Sequence, residues 1–426
     1  MSTDRPDQGP HDPHDPSGSH GPSGSHGPSG SHDPSGSHRP SGPYAEVAAA
    51  LAALPLLDHH VHGALRSQPD RARFEQMLSE SDRPVPAWMN GFDSQVGLAV
   101  RRWCAPLLDL EPRAGADAYV ARRQELGEAE VTRRLLTASG VGRYLVETGF
   151  AAEEILTPAQ MSASSGVPAD EVVRLETVFE RLLTSAGSVE SAVRRYPEVL
   201  AERTANAAGL KSVVAYRCGF DFDPAPPSRA DVVRAAGRTL AAGDGAGDGA
   251  SARVDDPVLL RFLLWSGVDR GLPLQLHSGY GDPDLDLHRC DPLLLTDFIR
   301  RVEPRGVDLL LLHCYPFHRN AGYLAQAFPH VYFDVGLATN YTGLRSHAVI
   351  AESLELAPFG KILFSSDAWG PAELHFLGAH LWRRGMTRAL GRWVEDAELG
   401  TRDATRIAAM IGWENAARVY GVEGDR

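Results

Sequence analysis

The sequence predicts an α/β fold: a (β/α)8 TIM barrel with a helical insertion after strand one and a low-complexity N-terminal tail. Three observations predict it. From Gly140 onward, short apolar runs alternate with segments of helical length, the pattern of a parallel sheet with crossover helices. Counting from Leu54 gives about eight such runs, the number this barrel requires. Four of the runs stop at a His or an Asp, and such barrels carry their active sites at the C-terminal strand ends.

The chain is long enough to bury a full core, with 426 residues, of which 43% are hydrophobic and 23% charged; those fractions are ordinary for a soluble globular protein. With 42 basic against 55 acidic residues and a net charge of -13, a nucleic acid or an anionic membrane surface is not expected as a partner. No apolar run reaches the ~18 residues that span a bilayer, and no basic segment followed by an apolar one marks a secretory signal. Cys104, Cys218, Cys290 and Cys314 are scattered without a CxxC pair. Reduced thiols and a cytoplasmic location are the expectation.

Residues 1–43 form the tail. A hexapeptide recurs from Pro16, Pro22, Pro28 and Pro34, and nothing apolar is available to bury, so disorder is expected. Its histidines, His11, His14, His20, His26, His32 and His38, allow a metal-scavenging role as the alternative to a plain solvated extension. The folded domain is expected over 44–426. Residues 44–53 read as a short helix and Leu54 begins the first strand. Residues 66–140 read as helical, with breaks at Pro84–Pro86 and Pro112–Gly115. They are expected to lie over the mouth of the fold, with Trp88 and Trp103 either shaping a pocket or packing among helices.

Strands are expected at Val141–Thr148, Val172–Thr177, Gly209–Tyr216, Pro273–His277, Val307–His313, Val331–Val335 and Lys361–Phe364. Helices are expected at 178–186, 188–205, 229–242, 256–269, 292–302, 319–327, 345–356, 371–384, 386–398 and 402–419, with Gly243–Gly249 a surface loop.

The chemistry-bearing residues close the strands. Asp58, His60 and His62 follow the apolar run Leu54–Leu57 at spacing two, which places them on one face of an extended strand. His277 ends the fifth run, His313 the sixth and Asp367 the last. One His-x-His alone is as consistent with packing as with metal binding. A His-x-His pair, two further His and an Asp closing four strands make a metal site the stronger reading.

Here the chain resembles the metal-dependent amidohydrolase superfamily. Asp58-x-His60-x-His62 resembles its first ligand motif, and His277, His313 and Asp367 match its strand-five, strand-six and strand-eight positions. The resemblance is strongest to the amidohydrolase-related (amidohydrolase 2) branch that is fused to glutamine synthetase in fungal and plant proteins. It rests on Gly209-Leu210-Lys211-Ser212 with Tyr216-Arg217, on His277-x-Gly279-x-Gly281-Asp282 with Asp286-Leu287, and on Tyr315-Pro316-Phe317. It runs from about residue 54 to 422, little of it in 66–140. No glutamine synthetase segment lies within these residues, so coupling to that activity is not expected.

The resemblance implies a divalent metal, zinc or else manganese or iron, bound by neutral imidazoles and a carboxylate. With one ion, the favoured count, His60, His62, His277 and Asp367 hold it and His313 positions the reacting carbonyl. With two, a carbamylated Lys211 bridges them and His277 and His313 bind the second. Asp367 is the expected proton acceptor for the attacking water. The implied reaction is hydrolysis of an amide, another C–N bond or an ester of a small molecule. The alternatives are a metal-dependent decarboxylase and a non-catalytic metal-binding regulator. Arg217 is placed to grip a substrate carboxylate bidentately, or else to pair with Asp221 or Asp223. Tyr280 and Tyr315 either line the pocket or pack. Asp282, Asp284 and Asp286 read as a solvated loop. Asp334 either supports a ligand His or satisfies buried amides. Cys314 is expected to face away from the metal, and Cys290 to lie near the mouth without a catalytic partner. Pairing of two copies is compatible with this fold.

Overall fold

The computed structural model describes residues 42–244 and 253–422. The tail up to Ser41 and most of the Gly243–Gly249 loop lie outside them. Seven strands form one sheet in chain order: β1 Leu56–Val61, β2 Val141–Glu147, β3 Ala169–Arg174, β4 Gly209–Ser212, β5 Leu274–Ser278, β6 Leu309–His313 and β7 Val331–Phe333. Each pairs in parallel with the next. A parallel sheet covered on both faces needs apolar side chains on both. The Leu309–Leu312 run supplies them, and all of β6 is buried.

The eighth strand expected at Lys361–Phe364 is not formed as such. Phe359–Lys361 is a 3-10 turn, and Ile362 makes a single parallel bridge to Phe333. The segment nevertheless links the two edges of the sheet. Leu363 N donates to Phe333 O at 3.0 Å on one side, and His59 N donates to Phe364 O at 3.3 Å on the other. Beyond it, Asp367 N donates to His60 O at 3.1 Å and His62 N to Ala368 O at 2.8 Å. This curls the sheet and carries Asp367 up against β1.

Side chains divide by strand parity. Leu57, Leu145, Val172, Leu310, Leu312, Tyr332 and Leu363 form a small cluster with Ala416 and Tyr420 of the last helix. Their neighbours on the opposite face pack against the surrounding helices in the large core. Two residues further along the first face stand Glu147, Arg174 and Asp367's neighbour Ser365, where the apolar filling gives way to polar groups.

Several helices begin on chemical signals legible in the sequence. Thr157 caps Pro158–Ser165 with a reciprocal Gln160 bond, Ser188 caps Val189–Arg203 and Asp256 caps Pro257–Arg270, each satisfying otherwise orphaned amides. Four expectations need correction. The pair 371–384 and 386–398 is one helix, Ala372–Glu395. Gly385 sits within it because its face packs against Ile350 with no room for a Cβ. The fourth strand stops at Ser212, and Val214–Cys218 turns into a helix. The third strand lies earlier, and the next helix already begins at Leu175. Helix 402–419 is interrupted by a π-helical turn at Met410–Glu414. Between β1 and β2 the chain forms short helices, among them Arg71–Gln76, Ala116–Leu126 and Glu128–Ser139. Among the described residues no helix is long and apolar enough to cross a membrane.

Candidate metal centre

His60 and His62 are brought inward by an irregularity in β1. Its register against β2 shifts between Asp58 and Val61, and such bulges re-aim side chains. His59 and His60 therefore find separate buried partners below and within the site. Asp58 does not join them: its carboxylate accepts from Ser366 N at 2.9 Å and Ser366 Oγ at 2.5 Å. It braces the Asp367 turn, and burial, partly offset by the Ser366 bonds, pushes its carboxyl up to about 7.

His60 Nε2 lies 3.1 Å from Asp367 Oδ1, and His313 Nε2 lies 3.3 Å from Asp367 Oδ2. These three offer ligand atoms within 4.8 Å of one another. His62 Nε2 is 3.8 Å from Asp367 Oδ1. His313 and Asp367 both take positive φ, 68° and 47°, a strained setting for non-glycine residues. The turn at His313 lets it face the site directly after the inward Leu312.

Hydrogen bonds set the histidine tautomers. Gln275 Nε2 donates to His59 O and to the Tyr420 hydroxyl. Its carbonyl oxygen is thereby aimed at His60 Nδ1, 2.7 Å away. His60 carries its proton on Nδ1 and presents Nε2 bare. His62 Nδ1 likewise faces Glu147 Oε2 at 3.2 Å, leaving Nε2 for the site. Arg174 grips Glu147 through Nη2 at 2.6 Å and Nε at 3.1 Å. Burial alone would raise the Glu147 carboxyl, but Arg174 and His62 outweigh it and hold it well below the usual range. Asp334 accepts from the His313 amide at 3.0 Å, from Gly336 N and Ser365 Oγ at 2.8 Å each, and pairs with His59 at 3.1 Å. It supports the backbone of His313 rather than its ring.

His277 Nε2 faces Tyr280 O at 3.1 Å, and its ring packs against those of Tyr216 and His313. Gly281 permits that approach, since a Cβ there would meet the Tyr216 hydroxyl and lie 3.1 Å from His277 Nε2. Lys211 Nζ lies 3.3 Å from His60 Nε2, and burial pushes it down to about 8. Burial, reinforced by the neighbouring Lys211 charge, also keeps His60, His277 and His313 neutral, the form that ligates metals.

A cavity of about 210 Å³ opens onto these groups, lined by His62, His277, His313, Lys211 and Asp367 and also by Glu80, Phe150, Arg174, Arg217 and Trp369. Arg217 meets neither Asp221 nor Asp223. Its partners are Glu180 at 3.4 Å and Val254 O at 3.3 Å, while Asp221 pairs with Arg289 and Asp223 with Arg261. Tyr280 and Tyr315 do not line the cavity; they pack edge-on against each other. Trp88 is exposed and Trp103 packs on His380. Cys314 Sγ turns toward the carbonyls of Leu311 and Leu312, and Cys290 is buried against Ala215 O.

The donor set fits a divalent ion. Both ring nitrogens of His313 are buried without a hydrogen-bond partner among the described residues, although Asp367 Oδ2 stands 3.3 Å from Nε2. Such orphans are costly unless something binds them. Sequence reasoning missed Glu147, Arg174, Gln275 and Glu80. Glu147 and Arg174 each close a strand, as the ligands do, and that signal was available.

The sequence profile of the family described as Amidohydrolase matches residues 183–422. The chain belongs to this amidohydrolase family. The match includes His277, His313 and Asp367 and leaves His60 and His62 ahead of it. Among curated proteins, the chain is 29% identical over 245 residues to Protein fluG of Emericella nidulans, covering 54% of this chain and 28% of that protein. The chain thus spans under a third of that relative's length. A proposed metal-dependent hydrolase from Lactobacillus casei superimposes with a TM-score of 0.77 at 26% identity, covering 88% of this chain and 97% of the other. A uronate isomerase from Bacillus halodurans superimposes with a TM-score of 0.62 at 14% identity, covering 89% and 96%, a likeness of fold alone.

Proposed function

We propose that the chain is a metal-dependent hydrolase that cleaves an amide, another C–N bond or an ester of a small carboxylate-bearing molecule. The observation that carries this reading is the meeting of His60, His313 and Asp367 beside a cavity that also holds Arg217. We read the fold as a (β/α)8 barrel in which residues 362–368 take the place of the eighth strand. That reading puts all these groups at C-terminal strand ends.

His60, His313 and Asp367 would hold one ion, zinc or else manganese or iron, with His62 completing the set. This exchanges two expected one-ion roles: His313 moves from positioning into the ligand set, and His277, whose Nε2 faces Tyr280 O, moves out of it. When bound, the ion supplies a Lewis acid that polarises a carbonyl and makes water nucleophilic near neutral pH. Asp367 accepts the attacking water's proton. Its carboxylate lines the cavity beside His60 and His313, within reach of a water held there. His277, on the same wall, orients the substrate. Arg217 offers guanidinium donors to the substrate carboxylate. Phe150, Trp369 and Leu337 supply apolar wall and exclude bulk water.

A screen of N-acyl and γ-glutamyl amides with metal-loaded protein tests the reading. In ¹⁸O-labelled water the product carboxylate should gain one labelled oxygen. Release of carbon dioxide without water addition would make the protein a decarboxylase instead.

A further inference from the structure

Glu80 stands in the same cavity wall as the candidate metal centre, contributed by the segment between β1 and β2. Met77 and Leu78 anchor that segment in the core, and Met77 Sδ lies close to Gly370 just past Asp367. Although Glu80 is only half-buried as a residue, its Oε1 is fully out of solvent with no hydrogen-bond partner among the described residues. A buried carboxyl oxygen left unpaired is costly unless a ligand completes it. Its neighbours are Tyr341, the acids Asp282 and Asp367, and the phenols of Tyr216 and Tyr280. Lys211, Arg217 and Arg253 also line the cavity, but Arg253 is paired with Asp284 at 3.0 Å. No cation pairs with Glu80 among the described residues.

We propose that Glu80 is a catalytic residue that delivers a proton to the leaving atom of the substrate, a task separate from that of Asp367. This rests on the hydrolase reading above. As the oxygen of water bonds to the acyl carbon, Asp367 takes the water's proton. The C–N bond pair passes to nitrogen, and nitrogen takes the proton from the Glu80 hydroxyl. Glu80 is left as a carboxylate and recovers a proton from solvent as Asp367 releases its own to solvent, so the sum is one water consumed. Burial beside Tyr341 and Asp282 pushes its carboxyl up, which favours keeping that proton in place.

The test compares two probes with the same acyl group, N-propylglutaramic acid and mono-p-nitrophenyl glutarate, on metal-loaded wild type and E80Q. The departing amine needs a proton and p-nitrophenolate does not. E80Q should lower amide turnover by roughly a hundred- to ten-thousand-fold and ester turnover by less than about tenfold, with metal content unchanged. Equal losses on both probes, or no loss, would overturn the proposal. A ¹³C-glutamate NMR titration of the metal-loaded protein decides independently of turnover. Glu128 and Glu176 are also raised by burial, so the deciding signal is the one that E80Q removes: it should titrate well above the ordinary glutamate value of 4.5, and a lost signal that titrates at or below that value overturns the role. If wild type cleaves neither probe, the hydrolase reading loses support while the titration still judges Glu80.

Discussion

Gln275 Oε1 sits 2.7 Å from His60 Nδ1, and this contact decides which nitrogen of His60 looks into the cavity. The amide cannot turn over, because its Nε2 is committed to His59 O at 2.8 Å and to the Tyr420 hydroxyl at 2.7 Å. Replacing Gln275 with Leu frees the ring to take the other tautomer. The expected result is a loss of metal affinity of roughly 10–100-fold with an unchanged circular dichroism spectrum, read by competition with a chelator.

Glu147 performs the same service for His62 while neutralising buried Arg174. Removing its charge by E147Q leaves that guanidinium without a counter-charge, at a cost of roughly 3–5 kcal/mol, measurable by denaturant unfolding at neutral pH. The effect depends on pH in a defined sense. The folded-state value of Glu147 is depressed below its ordinary 4.5. Its contribution is therefore present above that value and lost as pH falls through the folded one. The stability gap between wild type and E147Q should narrow on acidification below about 4.5, and a gap that widens would contradict the assignment.

The strand-end residues were legible because each candidate site residue interrupts an apolar run: His277 and His313 stop Leu-rich strands and Asp367 stops Phe364-Ser-Ser. What brought them together was not. His313 faces the cavity through a backbone turn with φ of 68°, and His60 through a register shift; period-two counting contains neither. The same counting put Asp58 on the metal face, whereas it bonds Ser366. Glu80 lies in a stretch without periodicity, so only tertiary packing reveals it. The missing eighth strand has a similar cause, because its apolar residues survive while its backbone bonds are shared with the Asp367 turn.

Tyr420 ties the last helix to the site. Its hydroxyl accepts from Gln275 and lies 3.0 Å from His59 Nδ1, while His59 Nε2 faces Asp334 Oδ2. The shared chain requires the phenol to donate to Nδ1. Y420F strips both contacts and leaves buried polar atoms unpaired, which costs about 1–3 kcal/mol. Thermal unfolding should register that loss, with a smaller fall in metal affinity than Q275L gives.

The proposed metal count can be tested at Lys211. Its Nζ, 3.3 Å from His60 Nε2 and buried, is pushed down to about 8, which raises the neutral fraction available to react with carbon dioxide. The one-ion reading predicts the same metal content with and without bicarbonate, and K211M protein that still binds one ion. A second ion appearing only with bicarbonate would establish the bridged pair.

His60, His313 and Asp367 are the residues proposed to hold a divalent ion. Elemental analysis of freshly purified wild type and H60A, alongside circular dichroism, checks this without need of a substrate. Wild type should carry about one ion per chain and H60A should be near-empty with the same fold; a folded H60A retaining the full complement of metal would refute the assignment.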